Sequence, residues 1–124
     1  MEEALQPWKN SLAVGLSTFL ETEDPTRSDC HAWSAGPNYH FLATVAGIRS
    51  TSPGFQSISI RPQPGNFLRF EAEMPHTNGM IELRFYWNKK EGYFWVTLPE
   101  GITGTLFWDG KMHTLKPGMQ EIGK

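Results

Sequence analysis

Within the 17 positions from Glu21 to Pro37 lie four carboxylates, an arginine, the chain's only cysteine, a histidine and a tryptophan, a concentration matched nowhere else in the sequence. Paired carboxylates can do general acid and base work, and a neutral imidazole can donate to or accept from a hydroxyl at neutral pH. On residue type alone Glu21, Glu23, Asp24 and Asp29 are equally able bases, and an acidic loop is most often simply solvated. Cys30 beside His31 suggests a thiol nucleophile, but sequence neighbours point their side chains apart and no oxyanion donors are indicated, so that chemistry is rejected. His31 has two readings, a polar ligand contact or a residue capping the start of a helix. Trp33 reads either as packing between helix and loop or as a face on which a pyranose can stack. Arg27 and Asp29 are expected to pair with each other or with the loop backbone.

Other chemistries are poorly served. His31, His40, His76 and His113 are scattered singly, without cysteine or carboxylate at ligand spacing around the last three, so neither a metal nor a cofactor is expected. A nucleophile elbow and a glycine-rich phosphate loop are absent. Eleven basic against thirteen acidic residues give a net charge of −2 with no basic block, so neither nucleic acid nor an anionic membrane is an expected partner. No apolar run approaches the roughly 20 residues that cross a bilayer, and Met1-Glu2-Glu3-Ala4 does not read as a secretory signal. A single cysteine excludes an internal disulfide and carries no information on compartment.

The elements that must position these residues change character near residue 49. Before it the period is helical: Trp8, Leu12 and Leu16 follow an i, i+4 rhythm with Pro7 suited to the first turn, which predicts a helix over about 7–14. A polar loop over 21–29 follows, broken by Pro25. A second helix is expected with Ser34 as N-cap, Pro37 in its first turn, an apolar stripe of Tyr39, Leu42, Val45 and Ala46, and Gly47 as left-handed cap. Such a pair cannot bury its stripes alone, which predicts self-association through exposed helices or a missing helical partner.

After Pro53-Gly54 the period drops to two. Ile58 and Ile60, then Leu68 to Met74, Ile81 to Trp87, Phe94 to Leu98 and Thr105 to Trp108 alternate with polar residues, and Asn78-Gly79 and Asp109-Gly110 supply turn chemistry. The fold class is therefore mainly β: an antiparallel β-sandwich of seven or eight strands over 50–124, preceded by two helices in 1–49. Tyr86, Trp87, Tyr93, Trp95 and Trp108 could form an exposed sugar-facing strip. Alternation favours core packing for the set, since it buries Trp87 and leaves Tyr86 out.

Three stretches carry a family resemblance: Gly15-Leu16-Ser17-Thr18-Phe19-Leu20-Glu21, the segment Thr26 to Pro37 that contains His31-Ala32-Trp33, and Gly47-Ile48-Arg49-Ser50-Thr51-Ser52-Pro53-Gly54-Phe55. Together they resemble the end of the catalytic helical barrel and the start of the C-terminal domain of inverting bacterial α-L-rhamnosidases, over about residues 5–87. The resemblance implies that 1–49 corresponds to the last repeat of an (α/α) barrel. It also implies that Glu21 stands at the general-base position and that His31 lies at the rhamnose subsite, with Trp33 carried as a second substrate-binding candidate. The family's general acid and acidic rhamnose-binding motif lie upstream of what is present here. The expectation is a C-terminal portion of a glycoside hydrolase acting on rhamnose-containing glycosides, contributing a base and a sugar contact, and inactive alone. The alternative is a non-catalytic carbohydrate-binding or structural β-sandwich module.

Overall fold

A computed structural model describes residues 3–23, 27–88 and 90–123. Asp24 and Pro25, one of the four candidate carboxylates and the expected loop breaker, lie outside the described residues, as does Lys89 in the turn after Asn88. The chain forms two compact units, one ending at Tyr39 and one beginning at His40.

In the first unit a 3-10 turn, Glu3–Leu5, leads into helix α1, Gln6–Ala13, with Pro7 in its first turn as its missing N–H allows. No side chain caps its N-terminus. The second predicted helix starts differently from expectation. Ala32–Ala35 is a 3-10 turn with His31 at the N-cap position, and α2 covers Gly36–His40. Ser34 is therefore inside the turn; its hydroxyl donates to the His31 carbonyl (2.8 Å), and its own carbonyl accepts the Trp8 indole N–H (2.7 Å). That last bond ties α1 to the turn. The residues of this unit that are buried are the two serines Ser11 and Ser34, and no large apolar side chain among the described ones is.

The second unit begins with a π-helical turn, Phe41–Val45, whose wide winding is closed by Ala46 N–H donating to the Phe41 carbonyl (2.9 Å). This wider register rearranges the predicted stripe: Ala43 and Ala46 are buried, while Tyr39 and Phe41 are exposed. Gly47 caps the segment at φ +73°, as expected, and a Cβ there would also sit 2.1 Å from the Arg61 carbonyl oxygen. Glycine is required twice over.

Eight strands follow among the described residues: β1 Ile48–Ser50, β2 Ser57–Ile60, β3 Arg69–His76, β4 Gly79–Trp87, β5 Gly92–Leu98, β6 Thr103–Trp108, β7 Lys111–Leu115 and β8 Gly118–Gly123. They build two four-stranded sheets, β1-β2-β6-β7 and β3-β4-β5-β8, in which every pairing is antiparallel except β2 with β6. The hairpins obey their turn residues. Trp108 pairs with Lys111 around Asp109 and Gly110, whose φ values of +50° and +72° are those of a type I′ turn. Alternation then sends Ile58, Ile60, Leu106 and Leu115 of one sheet and Ile81, Leu83, Phe85, Phe94, Val96 and Leu98 of the other into one core. An aromatic cluster sits within it, with Phe94 at 4.8 Å from Phe85 and 4.9 Å from Trp108 between ring centroids. Gly92 makes room for that cluster, because a Cβ would come within 2.6 Å of the Trp87 ring.

Candidate functional site

The loop between α1 and the Ala32–Ala35 turn folds back on itself. Glu21 N–H donates to the Ser28 carbonyl (2.8 Å), His31 N–H to the Phe19 carbonyl (2.6 Å), and the Thr18 hydroxyl to the Asp29 carbonyl. These bonds across the two arms bring Glu21 and His31 face to face, with Nδ1 of His31 4.0 Å from Oε2 of Glu21. The Glu21 side chain is only 12% exposed. The Arg27 guanidinium engages both of its oxygens, through Nη2 to Oε1 and Nε to Oε2 (3.0 Å). Arg27 thus pairs with Glu21 and not with Asp29, a correction to the sequence expectation. The reason is geometric: a planar guanidinium matches a carboxylate bidentately, and Asp29 meets the opposite arm through its carbonyl, which accepts from the Thr18 hydroxyl.

A carboxylate offers about four lone-pair directions, and the fork takes one on each oxygen, so acceptor capacity remains. At 4.0 Å the imidazole is beyond hydrogen-bonding range of the carboxylate. His31 holds the N-cap position of the 3-10 turn with no capping bond from its ring; its carbonyl does the local work by accepting from Ser34. Trp33 is 64% exposed and meets His31 edge-on, centroids 6.1 Å apart at 70°. It does not pack between helix and loop as one reading held, because the 3-10 turn buries Ser34 and leaves the neighbouring Trp33 on the outside. Glu23 accepts from the Asn10 side chain (3.2 Å), and Cys30 is an exposed free thiol.

Beside the pair lies an open hollow of about 310 Å³ lined by Ser17, Thr18, Phe19, Cys30, His31 and neighbouring alanines, at the small end of ligand-binding cavities. His31 lines it and Glu21 does not. The arrangement can hold a carboxylate in fixed orientation beside an imidazole at the lip of a shallow cleft. Among the described residues no cluster of histidine, cysteine and carboxylate side chains has metal-binding geometry, and no helix is long and apolar enough to cross a membrane.

The five-residue aromatic strip divides. Trp87 and Trp108 pack on the core side, while Tyr86, Tyr93 and Trp95 stand together on the outer face of β3-β4-β5-β8. The signal was present in the sequence: Phe94, Val96 and Leu98 facing inward oblige Tyr93 and Trp95 to face outward.

Residues 47–122, more than half of the chain, match the family model described as bacterial alpha-L-rhamnosidase C-terminal domain. The chain belongs to this family. Among curated proteins, none matches. Three solved α-L-rhamnosidase structures share the fold. That from Streptomyces avermitilis, complexed with L-rhamnose, has a TM-score of 0.76 at 17% identity over 94% of this chain and 14% of its own. That from Aspergillus terreus has 0.74 at 18% over 94% of this chain and 15% of its own. The third, from Dictyoglumus thermophilum, has 0.75 at 14% over 92% and 17%. This rhamnosidase C-terminal domain chain therefore spans about one-seventh to one-sixth of the length of the enzymes it resembles.

Proposed function

We propose that this chain serves as the C-terminal portion of an inverting α-L-rhamnosidase, with residues 1–49 completing the helical catalytic barrel and 50–124 forming the C-terminal β-sandwich domain. Glu21 is the general base: its carboxylate takes a proton from water while the water oxygen attacks the anomeric carbon, and an acid from the rest of the barrel protonates the departing glycosidic oxygen. Inversion needs the two carboxyl groups roughly 6.5–9.5 Å apart, leaving room for that water. His31 and Trp33 contact the rhamnose. The observation that carries this reading is the inward-turned Glu21 carboxylate, oriented by Arg27 and facing His31 at 4.0 Å, in a chain of this family. Alone, the chain has neither the acid nor the substrate-positioning barrel and does not hydrolyse rhamnosides.

The test is Glu21→Ala in the complete enzyme, assayed on an aryl α-L-rhamnoside. Loss of one member of an acid–base pair lowers kcat about 10²- to 10⁴-fold. A second reading is favoured by the bidentate Arg27 contact, in which Glu21 is a staple for the loop. It predicts that Glu21→Ala and Arg27→Ala lower thermal stability alike and leave kcat within a few-fold of the parent, and that outcome would sink the base assignment.

A further inference from the structure

We propose that the outer face of the β3-β4-β5-β8 sheet is a non-catalytic binding platform for a neutral oligosaccharide, separate from the Glu21 locus and independent of that assignment. Cross-strand register builds it. Arg69, Tyr86, Tyr93 and Gly123 form one row across the sheet, and Glu71, Arg84, Trp95 and Glu121 the next.

Two of its rings lie low over the sheet. Gly123 leaves open the space beneath Tyr93, where a Cβ would come within 3.0 Å of the ring carbons Cδ1 and Cε1, so the phenol leans across β8. The Trp95 indole leans the same way, its N–H donating to Oε2 of Glu121 (3.0 Å). The two rings end up only 23° from parallel, 5.9 Å between centroids. Their polar atoms are committed, the Tyr93 hydroxyl to Glu91 (3.1 Å) and the indole to Glu121, so what they offer a ligand is carbon surface held in place. The apolar C–H face of a pyranose packs on such a surface.

Hydrogen-bonding groups stand next to the rings. Toward β3 the face hollows into a trough of about 720 Å³ bordered by Arg69, Glu71, Arg84, Tyr86 and Trp95, within the range of small-ligand sites. Glu71 and Arg84 are directly opposed across the strands but 4.0 Å apart at closest approach, and both are well exposed, so carboxylate and guanidinium each keep capacity to bridge neighbouring hydroxyls. Tyr86, 45% exposed, completes the border.

Charge narrows the occupant. The outward strand positions of the sheet carry Glu71, Glu73, Glu82 and Glu121 against Arg69 and Arg84. That acidic excess repels a phosphate, a nucleic acid or an anionic lipid, and opposes a second copy of the same face. A neutral polyhydroxylated ligand carries no such penalty and uses both the carbon surface and the unlatched ion pair.

The experiment is an amide and indole proton–nitrogen correlation spectrum of the full chain, titrated separately with cellotriose, maltotriose, xylotriose and, as the competing occupant, tetralysine, each to tens of millimolar. A saturable shift of the Trp95 indole N–H with at least one trisaccharide is expected, with the Trp108 indole unmoved. Trp95→Ala should then weaken binding by about tenfold, the scale of one aromatic contact. Arg84→Ala, which leaves both rings in place, should weaken it as well, and circular dichroism checks that each variant is folded. The proposal is overturned if no trisaccharide moves the Trp95 indole, if tetralysine alone moves it, or if the shifts follow protein concentration and track dimerisation by sedimentation.

Discussion

The two units of this chain are held together by different forces. From His40 onward the protein has a continuous apolar core fed by both sheets, with Phe94, Leu83, Ile60 and Leu106 removed from water entirely. Up to Tyr39 the order rests on polar bonds: the Trp8 indole to Ser34, Asn10 to Glu23, and the Glu21–Arg27 fork, while Leu12 and Val14 stand more than 70% exposed. Individual hydrogen bonds contribute about 0.5–1.5 kcal/mol each, whereas one fully buried large apolar side chain contributes about 1.5–3 kcal/mol. The candidate chemistry therefore sits on the less strongly held unit, and the geometry of Glu21 and His31 depends on a loop closed by a handful of backbone bonds.

The sharpest way to break this contrast is in the core. Phe94→Ala removes a ring that touches both Phe85 and Trp108, and substitutions of this type cost about 3–5 kcal/mol. Urea denaturation followed by near-ultraviolet circular dichroism should show the sandwich transition shifted by that amount. A loss below about 1 kcal/mol would mean that the core collapses around the gap and that the stability attributed to it lies elsewhere.

The opposite manipulation, Trp8→Phe, keeps an aromatic ring at this position and deletes the donor to the Ser34 carbonyl. It should raise amide exchange rates at residues 8–13 and 32–35 by an amount corresponding to about 0.5–1.5 kcal/mol, and leave the sandwich transition where it was. If Trp8→Phe lowered the sandwich midpoint as well, the two units would be one cooperative structure and the contrast would fail.

How much of this was legible in the sequence follows the same division. Period-two alternation names the inward residues of β3, β4 and β5 correctly, because a half-buried sheet forces one face to be apolar over seven to nine residues. Strand β1 is only three residues long, too short for a period to register. β8 offers Met119, Glu121 and Gly123 on one side and Gln120 and Ile122 on the other, so its pairing with β5 supplies an assignment that its own pattern does not. The second helix is helical as its pattern predicts but differs in register. The serine at a good N-cap spacing lies inside a 3-10 turn, and with the π turn at Phe41–Val45 the buried face keeps Ala46 of the expected stripe, gains Ala43 and leaves Tyr39 exposed. Local spacing rules assume 3.6 residues per turn, and this segment departs from it on both sides. Glu21 could not be chosen from four carboxylates by residue type, and its proposed role as base rests on the resemblance; what the fold adds is that the loop draws this carboxylate in and Arg27 clamps it. The outer aromatic face is readable from parity, which sends Tyr86, Tyr93 and Trp95 to the side opposite Trp87, Phe94 and Val96.

The smallest expected effect tests whether polar geometry on the sandwich is held more firmly than in the loop. Glu91 accepts a hydrogen bond from the Tyr93 hydroxyl, and this bond, then the charge of Glu91 and to a lesser degree that of Glu121, hold the phenol above its ordinary value of 10.0. A raised pKa in the folded state means that the folded protein binds this proton more tightly than the unfolded chain does. The associated stabilisation is fully present below about pH 10 and is lost as pH rises through the folded-state value. Because the pair is on the surface, the change in overall stability is slight and the titration itself is the better readout. Carbon-13 spectra of the labelled tyrosine ring should place the Tyr93 midpoint above 10, and Glu91→Gln, which keeps an acceptor but removes the charge, should return it toward 10. A midpoint that is ordinary in the parent and unmoved by Glu91→Gln would mean that the bond is not maintained in solution. The rings of the outer face would then lack the fixed posture that separates them from the exposed Trp33 of the loop.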